Sequence, residues 1–559
     1  MTTQSITHNF YLLTNPASNT WLDITADVLY RGRQWEHGIQ SSAPLDRIAD
    51  VGMARFYLRN DSQSGVEYRY TPGHVNCVPG FSVKTKVKIV AAWNGHTKTV
   101  FLGWIPPDGI TQPTAANQAN IVGVTAYDWW YSALHQTVTL APIGTDKTLG
   151  DVTDDLLGLI EVKPSRVDIG DCEEVFTSTN ETVRENTTIY AELNKALLSE
   201  VGYAYIKYEE DSVYDDILRI DGRKSRSEVV PYTHVEYGDG YVEARLLKED
   251  GGVIVLDDDF SGIPTADKLL IDLSDQFNYI EGISSYAVQN GAHFTNRVLG
   301  KCYPKKVGTT AEIYRLQTPL SLEAGETREK LRVRYLVEDG YVGVAASNVS
   351  LKSSSMWSDR GGTVTDLSAD LDVTGTYGAG DAELTLTNSG TVDGYVVGAA
   401  GVPGIVLQGD PIYIGDTITQ IVDIATEGSE YYGHIELTLD QKYQSDPARN
   451  YTQTEILANR YSERINTIQS IDFCANGSNI LAGLYLLCDV GSKIPLKYEG
   501  ANVDDYYYIQ GVKTWQQGNA TYCRYIVKPA IYDNYLFWQL GTAGFSELGE
   551  TTVLAGEND

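Results

Sequence analysis

Val83-Lys-Thr-Lys-Val-Lys-Ile-Val-Ala-Ala92, then Asn94-Gly95, then Thr99-Val-Phe-Leu-Gly-Trp-Ile105 is the stretch whose reading decides the fold. Val83, Thr85, Val87 and Ile89 alternate with Lys84, Lys86 and Lys88, a period of two that puts one face of a strand on a core and the other in water. Asn-Gly favours a two-residue turn with both backbones left-handed, and the apolar run after it returns as the partner strand, so residues 83–105 are expected to form a hairpin. Outward from it lie Trp21-Leu-Asp-Ile-Thr-Ala-Asp-Val28, Ala54-Arg-Phe-Tyr-Leu-Arg59 and Ile121-Val-Gly-Val-Thr-Ala-Tyr-Asp128. Several short strands broken by turn signals predict a barrel or sandwich. Trp129-Trp130 reads as a continuation of the last strand, which would send one ring to the core and the other to a subunit contact.

Further along, the period changes. Ile189, Leu193 and Leu197 recur every four residues, an amphipathic helix ended at Gly202, and Tyr203-Ala-Tyr-Ile-Lys-Tyr208 alternates after it. Glu236-Tyr-Gly-Asp-Gly240 is a turn and Leu331–Val337 a strand. From Gly361 to Gly415 the chain is rich in Gly, Thr, Asp and Val, with Ala382–Thr387 alternating, and reads as an inserted β module. A second helix is signalled by the capping-box spacing Thr452-x-x-Glu455, with Leu457, Tyr461 and Ile465 on one face. Leu484–Val490, Tyr506–Val512 and Thr521–Val527 follow as a predicted meander, turned at Gly518-Asn519. The chain closes on Phe537–Leu554, with Trp538, Phe545 and Leu548 as apolar anchors where an unstructured tail would have none. The expectation is a mainly β protein of several small barrel or sandwich domains with about two amphipathic helices, divided at 1–160, 161–235, 236–355, 356–430 and 431–559.

A chain of 559 residues exceeds one core, and about three to five domains are expected. Lys plus Arg is 43 against 74 for Asp plus Glu, a formal charge of −31, with 52 Gly and 38 Tyr. Such acidity makes the chain a poor candidate for gripping nucleic acid, which takes clustered cations. It is compatible with a wall that repels phosphates and lets a duplex slide past, and equally with a surface kept soluble by charge. Six scattered cysteines (Cys77, Cys172, Cys302, Cys474, Cys488, Cys523) contain no Cys-x-x-Cys pair, which argues against a zinc site or a disulfide framework. With neither a secretory leader nor a long apolar span visible, folding in a reducing cytoplasm is expected.

Enzyme motifs are missing by spacing: no His-Glu-x-x-His, no Gly-x-Ser-x-Gly and no phosphate loop. The eight histidines are unpaired in sequence and read as solvated or core residues, so no cofactor, metal or catalytic residue is expected. Asp257-Asp258-Asp259 and Glu209-Glu210-Asp211 have the ligand type for a hard cation but not the alternate spacing of a calcium loop, and read as solvated turns. The uncharged stretch Gly394–Leu407 has two readings. It is either a loop carrying Val396, Val397, Val402 and Ile405 to a host membrane or a buried edge of the inserted module, the second being favoured. Trp21, Trp35, Trp129, Trp130, Trp538, Phe545 and Leu548 are candidate subunit-interface residues, because aromatic anchors dominate interface energetics.

Two sets of residues resemble the minor tail proteins of long-tailed bacteriophages, the tail-tip or baseplate-hub group. The first is Trp21, Asp23, Ile24, Thr25 and Val28; Gly38 and Ile39; Asp46 and Arg47; Gly52, Ala54, Phe56, Leu58 and Asn60; Phe101, Gly103 and Ile105; and Ala126 and Asp128, in that order. The second is the terminal Trp538-x-Leu-Gly leading to Ser546-Glu-Leu-Gly-x-Thr-Thr-x-Leu554. The resemblance implies a structural, non-enzymatic virion protein at the tail tip, assembled in the host cytoplasm. It implies barrels at both ends of the chain, three copies making a ring of near sixfold symmetry, and DNA passing through unbound during ejection. Its partners would be a distal tail protein, a tape-measure protein and a fibre or spike, with transient contact to the host membrane. Two rivals remain open: a receptor- or carbohydrate-binding tail protein, and a tail-associated cell-wall hydrolase.

Overall fold

In the computed structural model the described residues are 6–530 apart from 62–64, 94, 113–120, 173, 181–186, 209–215, 223–233, 239–240, 251–252, 258–270, 273–282, 291–293, 336–340, 345–347, 425–432, 463–465, 478 and 499–502. The terminal stretch 537–554, with Trp538, Phe545 and Leu548, lies outside them, as do Glu209-Glu210-Asp211 and most of Asp257-Asp258-Asp259.

The protein is mainly β. The hairpin forms as Lys86–Trp93 against His96–Trp104, with Trp93 opposite His96 across a two-residue turn and Gly95 at φ +82°. The strand starts at Lys86 because Lys84 adopts a left-handed φ of +72°, which breaks the extended run. It belongs to a fourteen-stranded sheet whose main path runs Ile283–Asn290, Asn466–Cys474, Ala520–Pro529, Val503–Gln517, Gln34–Gly38, Met53–Arg59, Ile121–Tyr127, His96–Trp104, Lys86–Trp93, Thr7–Asn15 and Thr20–Asp23. Among the described residues the path stays open, with Ile283–Asn290 and Thr20–Asp23 at its ends. The first and last described regions therefore share one sheet, joined where Gln34–Gly38 pairs with Val503–Gln517.

Five α-helices are present among the described residues: α1 (Trp129–His135), α2 (Leu149–Gly158), α3 (Ile189–Glu200), α4 (Pro447–Tyr461) and α5 (Asn479–Leu487). About two were expected; α1, α2 and α5 were not, and α3 and α4 differ at their ends. Trp129 and Trp130 open a helix capped by Asp128, whose carboxylate accepts from the Trp130 amide at 3.0 Å, so both rings turn into the core instead of parting across a strand. Helix α4 starts at Pro447 under an Asp446 cap, five residues before the expected box, because proline suits the first helical turn. Leu484–Val490 is helical in its first part, not a strand; a continuous apolar run has no period to separate the two when it is buried on all sides. Helix α3 ends with Val201, not Gly202, in the left-handed position at φ +60°.

Residues 297–423 form a nested ribbon. Arg297–Cys302 pairs with Ile418–Asp423, Lys305–Val307 with Pro411–Ile414, Ala311–Arg315 with Ile405–Gly409, Leu320–Leu322 with Gly394–Val396, and Thr327–Arg334 with Asp381–Asn388. Its interior, from Ile313 to Leu407, is a hydrophobic cluster separate from the main core and spans the expected boundary at 355/356. A small cluster of Val201, Val298, Leu439, Leu457 and Ala458 links ribbon, helix α4 and body. No helix among the described residues is long and apolar enough to cross a membrane.

Candidate assembly site: the joint between the chain ends

Five residue pairs make the joint: Gln34 with Trp515, Trp35 with Thr514, Glu36 with Lys513, His37 with Val512 and Gly38 with Gly511. The Ile39 amide extends it to the Gln510 carbonyl at 2.8 Å, and the Gln516 amide to the Arg33 carbonyl at 3.0 Å. The glycine pair is required by space. A Cβ on Gly38, whose φ is +86°, would lie 2.5 Å from the Gln510 oxygen, and one on Gly511 would lie 2.5 Å from the Ile39 oxygen. Two backbones approach here more closely than side chains permit.

Polar side chains fasten the joint on both faces. His37 Nε2 lies 2.7 Å from Asp489 Oδ1, and Lys98 Nζ lies 3.3 Å from Asp489 Oδ2 while donating to the Cys488 carbonyl at 2.7 Å. Burial alone would raise the Asp489 carboxyl, but the charge of Lys98 and the His37 contact hold it well below the usual carboxylate range. Arg33 donates to the Leu29 carbonyl at 2.8 Å, the Val28 carbonyl at 2.5 Å and Gln516 Oε1 at 3.1 Å. His8 links the first strand to the same place: Gln516 Nε2 donates to its Nδ1 at 2.7 Å, which leaves Nε2–H to donate to the Tyr485 hydroxyl at 3.0 Å. Burial, reinforced by Arg33, pushes the His8 imidazole from the ordinary 6.5 down to about 3, so it is neutral at pH 7. Lys513 and Glu36 close the outer face at 2.8 Å. His8, His37 and Asp489 carried no local sequence signal, since their partners lie hundreds of residues away.

The aromatic candidates divide by burial. Trp35, Trp129 and Trp130 are at most 1% exposed, and Trp35 packs on His8 and Phe10, so these rings are spent within the protomer instead of facing a neighbour. Trp21 differs. It lies on the end strand Thr20–Asp23 with its Nε1 donating to Asn19 Oδ1 at 3.0 Å and Lys88 Nζ 4.5 Å from its ring centre. Of the candidate membrane loop, Val396 and Ile405 are fully buried strand residues of the ribbon core and Val397 is 2% exposed; Val402 alone faces solvent, at 54%. Two ribbon strands, Gly394–Val396 and the almost wholly buried Ile405–Gly409, account for most of the apolar run, not a solvent-facing loop. Among the described residues no group of three or more His, Cys, Asp or Glu is placed to hold a metal ion.

No protein-family model matches this chain, and no curated protein matches it. Solved structures do. A 43 kDa prophage tail protein of Shewanella oneidensis aligns over 94% of this chain and 99% of its own, at 8% identity and a TM-score of 0.42. A tail protein of Neisseria meningitidis aligns over 94% and 96%, at 7% identity and a TM-score of 0.43. An Escherichia coli type VI secretion component, described as structurally similar to the T4 bacteriophage tail proteins gp27 and gp5, aligns over 90% and 73%, at 8% identity and a TM-score of 0.34. In arrangement this chain is similar to phage tail proteins. These are loose likenesses of layout.

Proposed function

We propose that the protein is a structural component of a phage tail tip of the baseplate-hub kind, in which three copies form a ring that continues or closes the tail tube and guides DNA during ejection. The observation that carries this reading is the edge-to-edge joint of Gln34–Gly38 with Val503–Gln517, which makes one sheet of two end units. Strand addition through main-chain hydrogen bonds is a mode of association that repeats between copies, because a strand at the end of a sheet offers its outer amides and carbonyls to a second chain. Thr20–Asp23, with Trp21 on it, and Ile283–Asn290 are the two ends of the main path; in this reading they meet neighbouring copies, and three chains of two end units each make a ring of six. A charge of −31 suits a channel wall along which DNA slides without being held. The ring would stand between a distal tail protein and a fibre or spike, with a tape-measure protein in its lumen, in a virion assembled in the host cytoplasm. Its role in this reading is mechanical and non-enzymatic. Native mass spectrometry of the full chain tests it: a species at three times the 61.6 kDa protomer mass is expected, and a strict monomer at high concentration overturns it.

A further inference from the structure

Arg47 is 1% exposed, Lys528 6% and Tyr203 4%, and all three meet behind the surface segment 41–46. The Arg47 guanidinium carbon lies 4.5 Å from the centre of the Tyr203 ring, and Lys528 Nζ lies 5.6 Å from the same centre. Two buried cations thus share one aromatic ring in a chain that carries an excess of 31 acidic groups. Arg47 donates through Nη1 to the Val201 carbonyl at 2.9 Å, while its Nε and Nη2 are buried with no hydrogen-bond partner among the described residues. Among the described residues Lys528 donates to the carbonyls of Ala43 and Pro44, each at 3.4 Å. Arg33 makes the contrast: equally buried, it satisfies all three of its nitrogens with two carbonyls and a glutamine amide.

Nε–H and Nη2–H form the side edge of a guanidinium, two parallel donors spaced to match two oxygens of one carboxylate or phosphate. A buried cation without a counter-charge is costly, and a ring face offsets that cost only in part. We infer that Arg47 and Lys528 form a buried oxyanion site, with the Nε/Nη2 edge of Arg47 gripping two oxygens and the Lys528 ammonium supplying the second charge. The oxyanion is either free phosphate or a carboxylate delivered on a side chain, and the two are separable by probe.

Thermal unfolding of the full chain, titrated with inorganic phosphate and separately with acetate at ionic strength matched by chloride, tests the site. A saturable rise in the midpoint that chloride does not reproduce is expected. A response to phosphate only assigns the phosphate class; a response to acetate as well assigns the carboxylate. Arg47→Lys, which keeps the charge and removes the fork, is expected to weaken the response at least tenfold, and Lys528→Gln to weaken it too. Should Arg47→Lys fail to fold, Lys528→Gln carries the comparison. No saturable rise with either probe, or an undiminished rise in the folded variants, overturns the inference.

Discussion

Two buried titratable residues set opposite pH slopes. Asp128 caps helix α1 from within the core, and burial raises its carboxyl from the ordinary 3.8 to about 8. The folded state then keeps a proton that the unfolded chain has released, so stability falls as pH rises between those two values, by at most about 1.4 kcal/mol per pH unit. His8 works the other way. Its folded imidazole is held at about 3, the unfolded chain takes up a proton below 6.5, and stability is lost as pH falls through that interval. The two contributions oppose each other between roughly pH 4 and 6.5, and above that the Asp128 slope stands alone. Asp128→Asn, which retains an oxygen for the Trp130 amide, is therefore expected to flatten the decline from pH 6.5 to 8, read from unfolding midpoints across that range. An unchanged decline would show that Asp128 does not hold its proton. At Asp489 the prediction is larger: Asp489→Ala leaves the buried His37 and the half-buried Lys98 without their carboxylate partner and is expected to cost about 3 kcal/mol in denaturant unfolding.

Among the elements, the joint and the ribbon differ in what breaks them. Gly511→Ala brings a methyl onto the Ile39 carbonyl, a backbone atom that can yield only by parting the strands, and is expected to destabilise by about 1–3 kcal/mol. Val201→Gly is expected to cost less, about 0.5–1 kcal/mol, because relief of about 1–2 kcal/mol of left-handed strain offsets most of the about 1.5–3 kcal/mol of lost burial. In the ribbon, Val396→Asp buries a charge in a core distinct from that of the body, so calorimetry is expected to lose the ribbon's transition while the body's persists. Val402→Asp, on an exposed side chain, is expected to stay within about 0.5 kcal/mol of the parent. The strands around residues 54–59, 86–93 and 382–387 were legible because a half-buried strand writes its period into neighbouring residues, and 96–104 because the Asn-Gly turn announces its partner. Helix α5 was not, since an element apolar on every side carries no period, and the start of α4 was masked by a second, better-known capping pattern inside it.

For the whole molecule, the decisive feature is a pairing between residues about 480 apart in the chain, Gln34 with Trp515 through Gly38 with Gly511. No local pattern announces such a partner. Gly38 and Gly511 are required there by space, but each one's role depends on the other's position and neither marks it in sequence. The sequence placed sheet modules in both end regions; their union in one sheet, and the burial of Trp35, Trp129 and Trp130 within it, came from the structure. Burial also narrows the surface available to neighbouring copies. Among the described tryptophans proposed as contacts, Trp21 on its end strand is the one still placed to touch a second chain, and Trp21→Ala is expected to weaken self-association while leaving the unfolding midpoint of the protomer little changed. End-on electron microscopy of the assembled full-length protein tests the account most directly. A closed ring of three chains displaying six β units around an open or plugged channel is expected; monomers, or an assembly in which the joined end units do not face a common axis, would rule out the proposed hub.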